Sequence, residues 1–365
     1  MSDHTIRVIR IQAVAPWPNS DKLDLIRVGG YITATAKGTY KPGDLAVFID
    51  PDFIVPTKHP EFDFLRIHQD GRPFPEKTEH RVTARKLRGT WSEGLLIPAR
   101  KGWRDGQDVA GILGIIRWEP PVKNQSPAPV KRTLLQRLFR KKKPTCAPAL
   151  TIPDYDLEST KRFNTLFDLL VATNDVCSTE KIHGSNARYV FNKGRFYMGS
   201  HHTWKRTPYV PKVRNFLRKL VGKPPIPKVG TNWWSHAAET HPWIETWCRA
   251  NPGLVLWGEV FGPGIQDMTY GVPSGSIGFR VFDVFDPKQN VFWPASMLVS
   301  EFPKEQVVPI FMGVIESEGK SHIPGADHLR EGMVYRGFMK DHRSANLPRG
   351  RLVLKAVSNA YLTRS

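Results

Sequence analysis

Residues 178–186 read Ser178-Thr179-Glu180-Lys181-Ile182-His183-Gly184-Ser185-Asn186, and the meaning of the rest of the chain turns on this stretch. A lysine followed by x-x-Gly is common and says little alone. Four later segments, in a fixed order, make it specific. Leu256-Trp257-Gly258-Glu259-Val260 comes first, then Gly278-Phe279-Arg280-Val281-Phe282-Asp283-Val284-Phe285, then Glu331-Gly332-Met333-Val334-Tyr335-Arg336, and last Leu352-Val353-Leu354-Lys355-Ala356-Val357. Each is a short apolar run carrying one or two charged residues, the pattern of strands that present side chains to a site.

Around this core the chain mixes strands and helices. Lys161–Ala172 has helical apolar spacing. Ala187–Met198 is a hairpin candidate turning at Asn192-Lys193-Gly194, and Asn232–Ala250 is expected to form one amphipathic helix with Trp233, Ile244 and Trp247 on its core face. Strands recur at Leu254–Val260, Ile277–Asp286, Met333–Tyr335 and Leu352–Val357. The class is α+β, with mostly antiparallel sheets and helices outside them. Residues 1–118 are β-rich instead. Ile6–Val14, Leu23–Val28, Tyr31–Ala36 and Leu45–Ile49 are strand candidates punctuated by turn clusters such as Lys41-Pro42-Gly43-Asp44, and Arg81–Leu87 and Glu93–Ile97 could close them into a small barrel. An OB-like barrel is expected, with an SH3-like barrel as the nearest alternative. Residues 119–149 read as a Pro-rich basic linker, with no acid between Lys131 and Lys143. That run fits either a nucleic-acid contact or a solvated linker. The expected order is a barrel over 1–118, the linker over 119–149 and a second domain over 150–365.

Composition narrows the function. The 365 residues carry a formal net charge of +19, which favours a polyanionic partner because each neutralised phosphate releases counterions. Hydrophobic residues make up 40 %, enough for one or two real cores, and no apolar run is long enough for a transmembrane helix. The N-terminus lacks a secretory pattern, and the three cysteines (Cys146, Cys177, Cys248) suggest neither disulfides nor a zinc site. A cytoplasmic monomer that avoids membranes is the expectation. Neither a Walker-type phosphate loop nor a Ser-His-Asp arrangement is present.

The ordered segments over residues 155–365 resemble the motifs of the covalent nucleotidyltransferase superfamily of DNA ligases, RNA ligases and mRNA capping enzymes. Lys181-Ile182-His183-Gly184 resembles RNA ligases, since DNA ligases and capping enzymes usually have Asp where His183 stands. The N-terminal segments Arg81–Gly89 and Glu93–Pro98 resemble the OB domain that precedes the ligase domain in the Deinococcus RNA ligase type. The resemblance implies an OB-like barrel joined to an ATP-grasp-like ligase adenylation domain. It also implies an ATP-dependent enzyme that seals 3′-hydroxyl/5′-phosphate breaks, in nicked duplexes with an RNA 3′-hydroxyl strand.

The resemblance assigns roles residue by residue. Lys181 would attack the α-phosphorus of ATP and hold AMP covalently, which a lysine does only when neutral. Its ordinary pKa of about 10.4 leaves about 0.04 % neutral at pH 7, so a cation or desolvation must lower that value. His183 would support adenylylation, or be a structural histidine beside a tight turn at Gly184. Glu180 and Gly184 would flank the nucleotide. Glu259 and Glu331 would serve Mg²⁺ or Mn²⁺ and the ribose, as oxygen ligands suit such hard ions. Phe279 would stack on adenine, or be a core residue. Asn186 would engage the nucleic-acid end, and Lys355 the α-phosphate. Two departures stand out. Related ligases often carry a second lysine where this chain has Val353, with Arg351 as a possible substitute. They also place an arginine about twenty residues after the nucleophile, where this chain has Ser200-His201-His202-Thr203-Trp204-Lys205. His201, Lys205 or Arg206 is expected to take that role. Two alternatives stay open: a capping-type nucleotidyltransferase, and a non-catalytic nucleic-acid-binding protein with a decayed ligase domain.

Overall fold

The computed structural model describes residues 5–51, 53–66, 78–118, 147–205, 222, 232–347 and 350–364. The basic run 131–143 and every lysine and arginine from Arg206 to Lys228 fall outside these residues. The chain divides into two compact units. One comprises residues 1–130, 159–165 and 362–365, the other 131–158 and 166–361.

The first unit is a small antiparallel β-structure. Leu45–Ile49 lies between Val8–Arg10 and Leu95–Pro98, while Val14–Pro16, Leu23–Val28 and Tyr31–Ala36 form a meander. Leu45–Ile49 is buried on both faces. Val47 and Ile49 join a cluster with Val8, Val55 and Ile97, and Ala46 and Phe48 join another with Ile26 and Tyr31. That double burial explains its unbroken apolar sequence. The strand expected over Arg81–Leu87 is instead two pieces, Glu79–Arg81 and Arg85–Leu87, in different sheets. Within this unit Lys161 pairs with Glu93, and Arg162 with Asp50 at 2.7 Å.

The second unit is built on two antiparallel sheets. One runs Leu354–Val357, Gly332–Gly337, Val176–Lys181, Ile310–Met312 in spatial order. The other runs Trp204–Lys205, Arg195–Gly199, Ser185–Asn192, Val255–Phe261, Gly278–Asp286, Val291–Phe292. The hairpin Ser185–Asn192/Arg195–Gly199 turns on Lys193 and Gly194, both at positive φ (48° and 74°), the geometry that matches strand twist in a two-residue turn. The single helix expected over Asn232–Ala250 is two, Trp233–Thr240 and Trp243–Ala250. Pro242 has no N–H to continue the first, so the chain restarts there. Both helices cover the apolar face of the second sheet, where Trp233 and Trp247 pack on a core containing Ala187, Tyr189, Leu256, Phe279 and Val281.

One irregularity matters for the site. Gly258 pairs with Val281 and Trp257 with Asp283, so Phe282 is the extra residue of a β-bulge in Gly278–Asp286. A bulge shifts the in-out alternation by one and re-aims the side chains beyond it. Gly258 permits the local packing, since a Cβ there would lie 2.4 Å from the Phe279 ring and 2.5 Å from the Arg280 carbonyl.

Candidate active site

Lys181 ends the strand Val176–Lys181 and reaches a pocket lined by residues from both sheets. Glu180, Lys181, Asn186, Glu259, Phe282 and Lys355 contribute, and Tyr155, Asp156 and Leu157 add a further wall. Lys181 Nζ donates to Glu331 Oε1 at 2.5 Å. Strand register explains the meeting, because Lys181 lies opposite Gly332, next to Glu331 in the chain. Glu259 arrives from the second sheet opposite Asn186. Gly184 allows that approach: a Cβ there would lie 2.2 Å from the Val260 carbonyl and 3.0 Å from Glu259 Cγ.

The charges that act most directly on Lys181 are the carboxylates of Glu331 and Glu259. Burial pulls the Lys181 amine down, but Glu331 and Glu259 outweigh it, so its pKa is raised. The direction is thus opposite to the lowered pKa expected from the sequence. Burial pushes the Glu259 carboxyl up to about 8, with Lys181 opposing and Glu331 adding to the shift. Glu331 Oε2 is buried without a hydrogen-bond partner. Two adjoining carboxylates, one with an orphaned oxygen, fit a hard divalent cation.

His183 is held from three sides. Its N–H donates to the Tyr270 hydroxyl at 2.6 Å, its Nε2 lies 2.7 Å from Asp267 Oδ1, and its Nδ1 lies 2.6 Å from the Tyr361 hydroxyl. Its Nδ1 also lies 3.8 Å from Glu331 Oε2. Tyr270 and Tyr361 carry no signal in the sequence that sets them apart from core tyrosines. Asn186 lines the pocket with its Oδ1 buried and unpartnered, and its carbonyl accepts from Trp234 Nε1.

Several expectations need correction. Phe279 does not line the pocket. It is 3 % exposed and packs edge-on against Tyr189 in the core, on the opposite side of the strand. Because of the bulge, the aromatic ring that this strand offers the pocket is Phe282. Glu180 does line the pocket, and its carboxylate also accepts from the Ser321 hydroxyl and the His322 N–H, at 2.5 and 2.7 Å. Arg351 does not stand in for a lysine at 353. It pairs with Asp283 and Asp341, at 3.1 and 2.9 Å, and Val353 is buried. His201 and Lys205, expected at the nucleic-acid end, lie outside the lining of the Lys181 pocket, which leaves that expectation where it stood. His201 Nε2 accepts the Tyr155 N–H at 3.0 Å, and Lys205 Nζ sits over the Trp234 ring. Arg206 lies outside the described residues.

The wall at 155–157 was missed by sequence reasoning. Tyr155 packs against Trp257, Phe282 and Phe292, and its hydroxyl donates to Asp283 at 2.8 Å. Asp283 in turn holds Arg336 and Arg351. The apolar residues Leu150, Ile152 and Tyr155, all packed on the Trp257 cluster, were the available signal.

An N-terminal β-unit followed by a two-sheet domain with a pocket lysine among carboxylates defines a nucleotidyltransferase-type ligase. The RNA ligase family model matches residues 174–357, and an OB-fold domain model matches residues 5–99. The chain belongs to the RNA ligase family. Solved structures of Naegleria gruberi RNA ligase share the fold. The form with PPi is 21 % identical (TM-score 0.66), a mutant with AMP and Mn is 20 % identical (TM-score 0.67), and another mutant with ATP and Mn is 21 % identical (TM-score 0.67). Each alignment covers 98 % of this chain and 97 % of the other. No curated relative matches the chain in sequence.

Proposed function

We propose that this RNA ligase seals 3′-hydroxyl/5′-phosphate breaks in duplexes whose 3′-hydroxyl strand is RNA, with AMP carried covalently on Lys181. The observation that supports this reading above the others is the Lys181–Glu331 contact in a pocket that also holds Glu259 and Lys355. The Naegleria gruberi enzyme, solved with ATP and Mn and with AMP and Mn, supports ATP and a divalent metal as the partners of this pocket.

The chemistry would run in three displacements. The neutral Lys181 amine attacks the α-phosphorus of ATP; a P–N bond forms, the α–β P–O bond breaks, pyrophosphate leaves and the amine gives up a proton. An oxygen of the 5′-phosphate then attacks the same phosphorus and releases Lys181. The 3′-hydroxyl finally attacks the activated 5′-phosphorus, forms the phosphodiester and expels AMP. For the first displacement Lys181 must lose the proton that Glu331 and Glu259 hold on it. A divalent cation held by these two glutamates would supply the positive charge that cancels their field. His183, fixed by Asp267 and Tyr361, keeps the turn after Lys181 in place beside Glu331. Phe282 offers a face to the adenine, and Lys355 a charge to the α-phosphate. Asn186 has an amide ready for the incoming end.

The test compares sealing of matched nicked duplexes with an RNA or a DNA 3′-hydroxyl strand, in ATP with Mg²⁺ or Mn²⁺. Sealing of the RNA nick at ten times or more the rate of the DNA nick is expected. Equal rates would remove the RNA preference, and transfer of label from GTP but not ATP would place the enzyme among capping-type nucleotidyltransferases.

A further inference from the structure

We propose that Arg188 is a docking residue for a phosphate of the nucleic-acid strand at the break, a role no matched motif gives it. The inference rests on the ligase reading above and extends it to the end-recognition group that the sequence left open. Arg188 lies on the hairpin strand Ser185–Asn192, directly across from Gly199 on one side and Trp257 on the other. It shares a sheet face with Asn186, about 7 Å away along the strand. Its guanidinium packs over Trp204 at 4.2 Å and beside Trp257 at 5.4 Å. The residue is 5 % exposed, yet it makes no hydrogen bond or ion pair with any described residue, and its Nε is buried without a partner.

An unpaired buried guanidinium is costly, and native proteins rarely keep one without a use. Here the cost registers as a pKa that burial lowers to about 10 although Asp154 nearby opposes the shift. Trp257 Nε1, across the strand, is a second buried donor without a partner, and Asn186 Oδ1 is orphaned on the same face. The two unpartnered nitrogens are both donors, which an oxyanion would satisfy; the Asn186 Oδ1 acceptor is not part of that set. The guanidinium lies over Trp204 and near Trp257, and an arginine fork can bind phosphate through two parallel hydrogen bonds.

A cation in this place fits less well. Asp154, His201 and His202 bring ligand atoms within 4.8 Å of one another. But His201 Nε2 already accepts the Tyr155 N–H, so the neutral ring carries its proton on Nδ1 and has no second lone pair to give. A metal there would also face Arg188. The phosphate is assigned to the strand and not to ATP because Arg188 lies outside the lining of the Lys181 pocket. Half-buried Trp204 also gives the neighbouring base a ring to stack on.

The experiment uses the full chain with Arg188→Met, which keeps the apolar stem over the tryptophans, and Arg188→Lys, which keeps the charge but not the fork. Four quantities are read: Tm, self-adenylylation with ATP, binding of a nicked duplex against salt, and sealing of a pre-adenylylated nick. The Met variant is expected to keep or raise Tm and to self-adenylylate within about threefold of wild type. It should bind the duplex and seal the pre-adenylylated nick at least tenfold less well, with the salt slope of binding reduced by about one. The Lys variant should fall between. Unchanged binding and salt slope in the Met variant would overturn the proposal. So would loss of self-adenylylation equal to the loss of sealing, which would hand the guanidinium to ATP. A large drop in Tm on Arg188→Met would show that the side chain is a packing element after all. If wild type neither adenylylates nor seals, the ligase reading fails, while the binding comparison still decides the role of Arg188.

Discussion

Glu331 and Glu259 together raise the pKa of the Lys181 amine against the opposing effect of burial, which bears on the lysyl-AMP chemistry proposed above. The raised amine of Lys181 and the Glu259 carboxyl near 8 describe a site waiting for positive charge. Two consequences can be separated by experiment. Glu331→Ala and Glu259→Ala should each slow self-adenylylation by about 10²-fold, the scale of a lost electrostatic contact in catalysis. Glu259→Gln isolates the cost of the buried charge. The folded pKa of Glu259 is raised from its ordinary 4.5 to about 8, so the folded state binds its proton more tightly than the unfolded state does. The stability this contributes is complete below about pH 4.5 and is lost as pH rises through 8. The Gln variant should therefore match wild type in Tm at low pH and equal or exceed it at pH 8.5, measured without divalent metal. A Gln variant less stable than wild type at pH 8.5 would mean that the carboxylate is better paired than the geometry indicates. These glutamates were legible in the sequence because each stands at a fixed place in an ordered motif. The pKa direction of Lys181 was not legible, because it depends on which carboxylates end up within contact distance.

At the scale of elements, the bulge at Phe282 decides which aromatic serves the pocket. Strand alternation read from the sequence keeps step only while the ladder is regular. One extra residue opposite Trp257 and Gly258 moves the face by one, and nothing in Gly278–Asp286 announces it. The two phenylalanines should respond differently to truncation. Phe279→Ala empties a core site and should cost about 3–5 kcal/mol of stability. Phe282→Ala should leave Tm within a few degrees and raise the KM for ATP in self-adenylylation by about tenfold, the scale of a lost stacking contact. Equal losses of stability would place both rings in the core. The other missed element, the wall at 155–157, lies at the start of the second domain, just after the Pro-rich linker; the apolar residues Leu150, Ile152 and Tyr155 have no regular spacing and gain meaning only from the Trp257 cluster they pack on. The break at Pro242, by contrast, was written in the sequence.

For the whole molecule, the charge of +19 and the two-unit build bear on the duplex contact proposed above. Binding of a nicked duplex should weaken steeply between low and moderate salt as phosphate contacts release counterions. A fragment of residues 150–365 keeps every pocket residue, so its sealing should fall further than its self-adenylylation. It also carries residues 159–165 away from the unit they pack in, leaving Lys161 and Arg162 without Glu93 and Asp50, so a lower Tm is expected as well. If the two activities fall by the same factor, the N-terminal unit acts by supporting the fold alone. The class of both units could be read from the chain, since strand spacing and motif order are local. The interruption of the first unit by a distant segment could not, since Lys161-Arg162 reads as the start of a helix. The central claim is a covalent bond, and it has a direct measurement. Full-length protein incubated with labelled ATP and Mg²⁺ should gain one acid-stable adenylate, located by peptide mass spectrometry on Lys181 and absent from Lys181→Ala. Label found on another residue, or retained in the Lys181→Ala protein, would contradict the account.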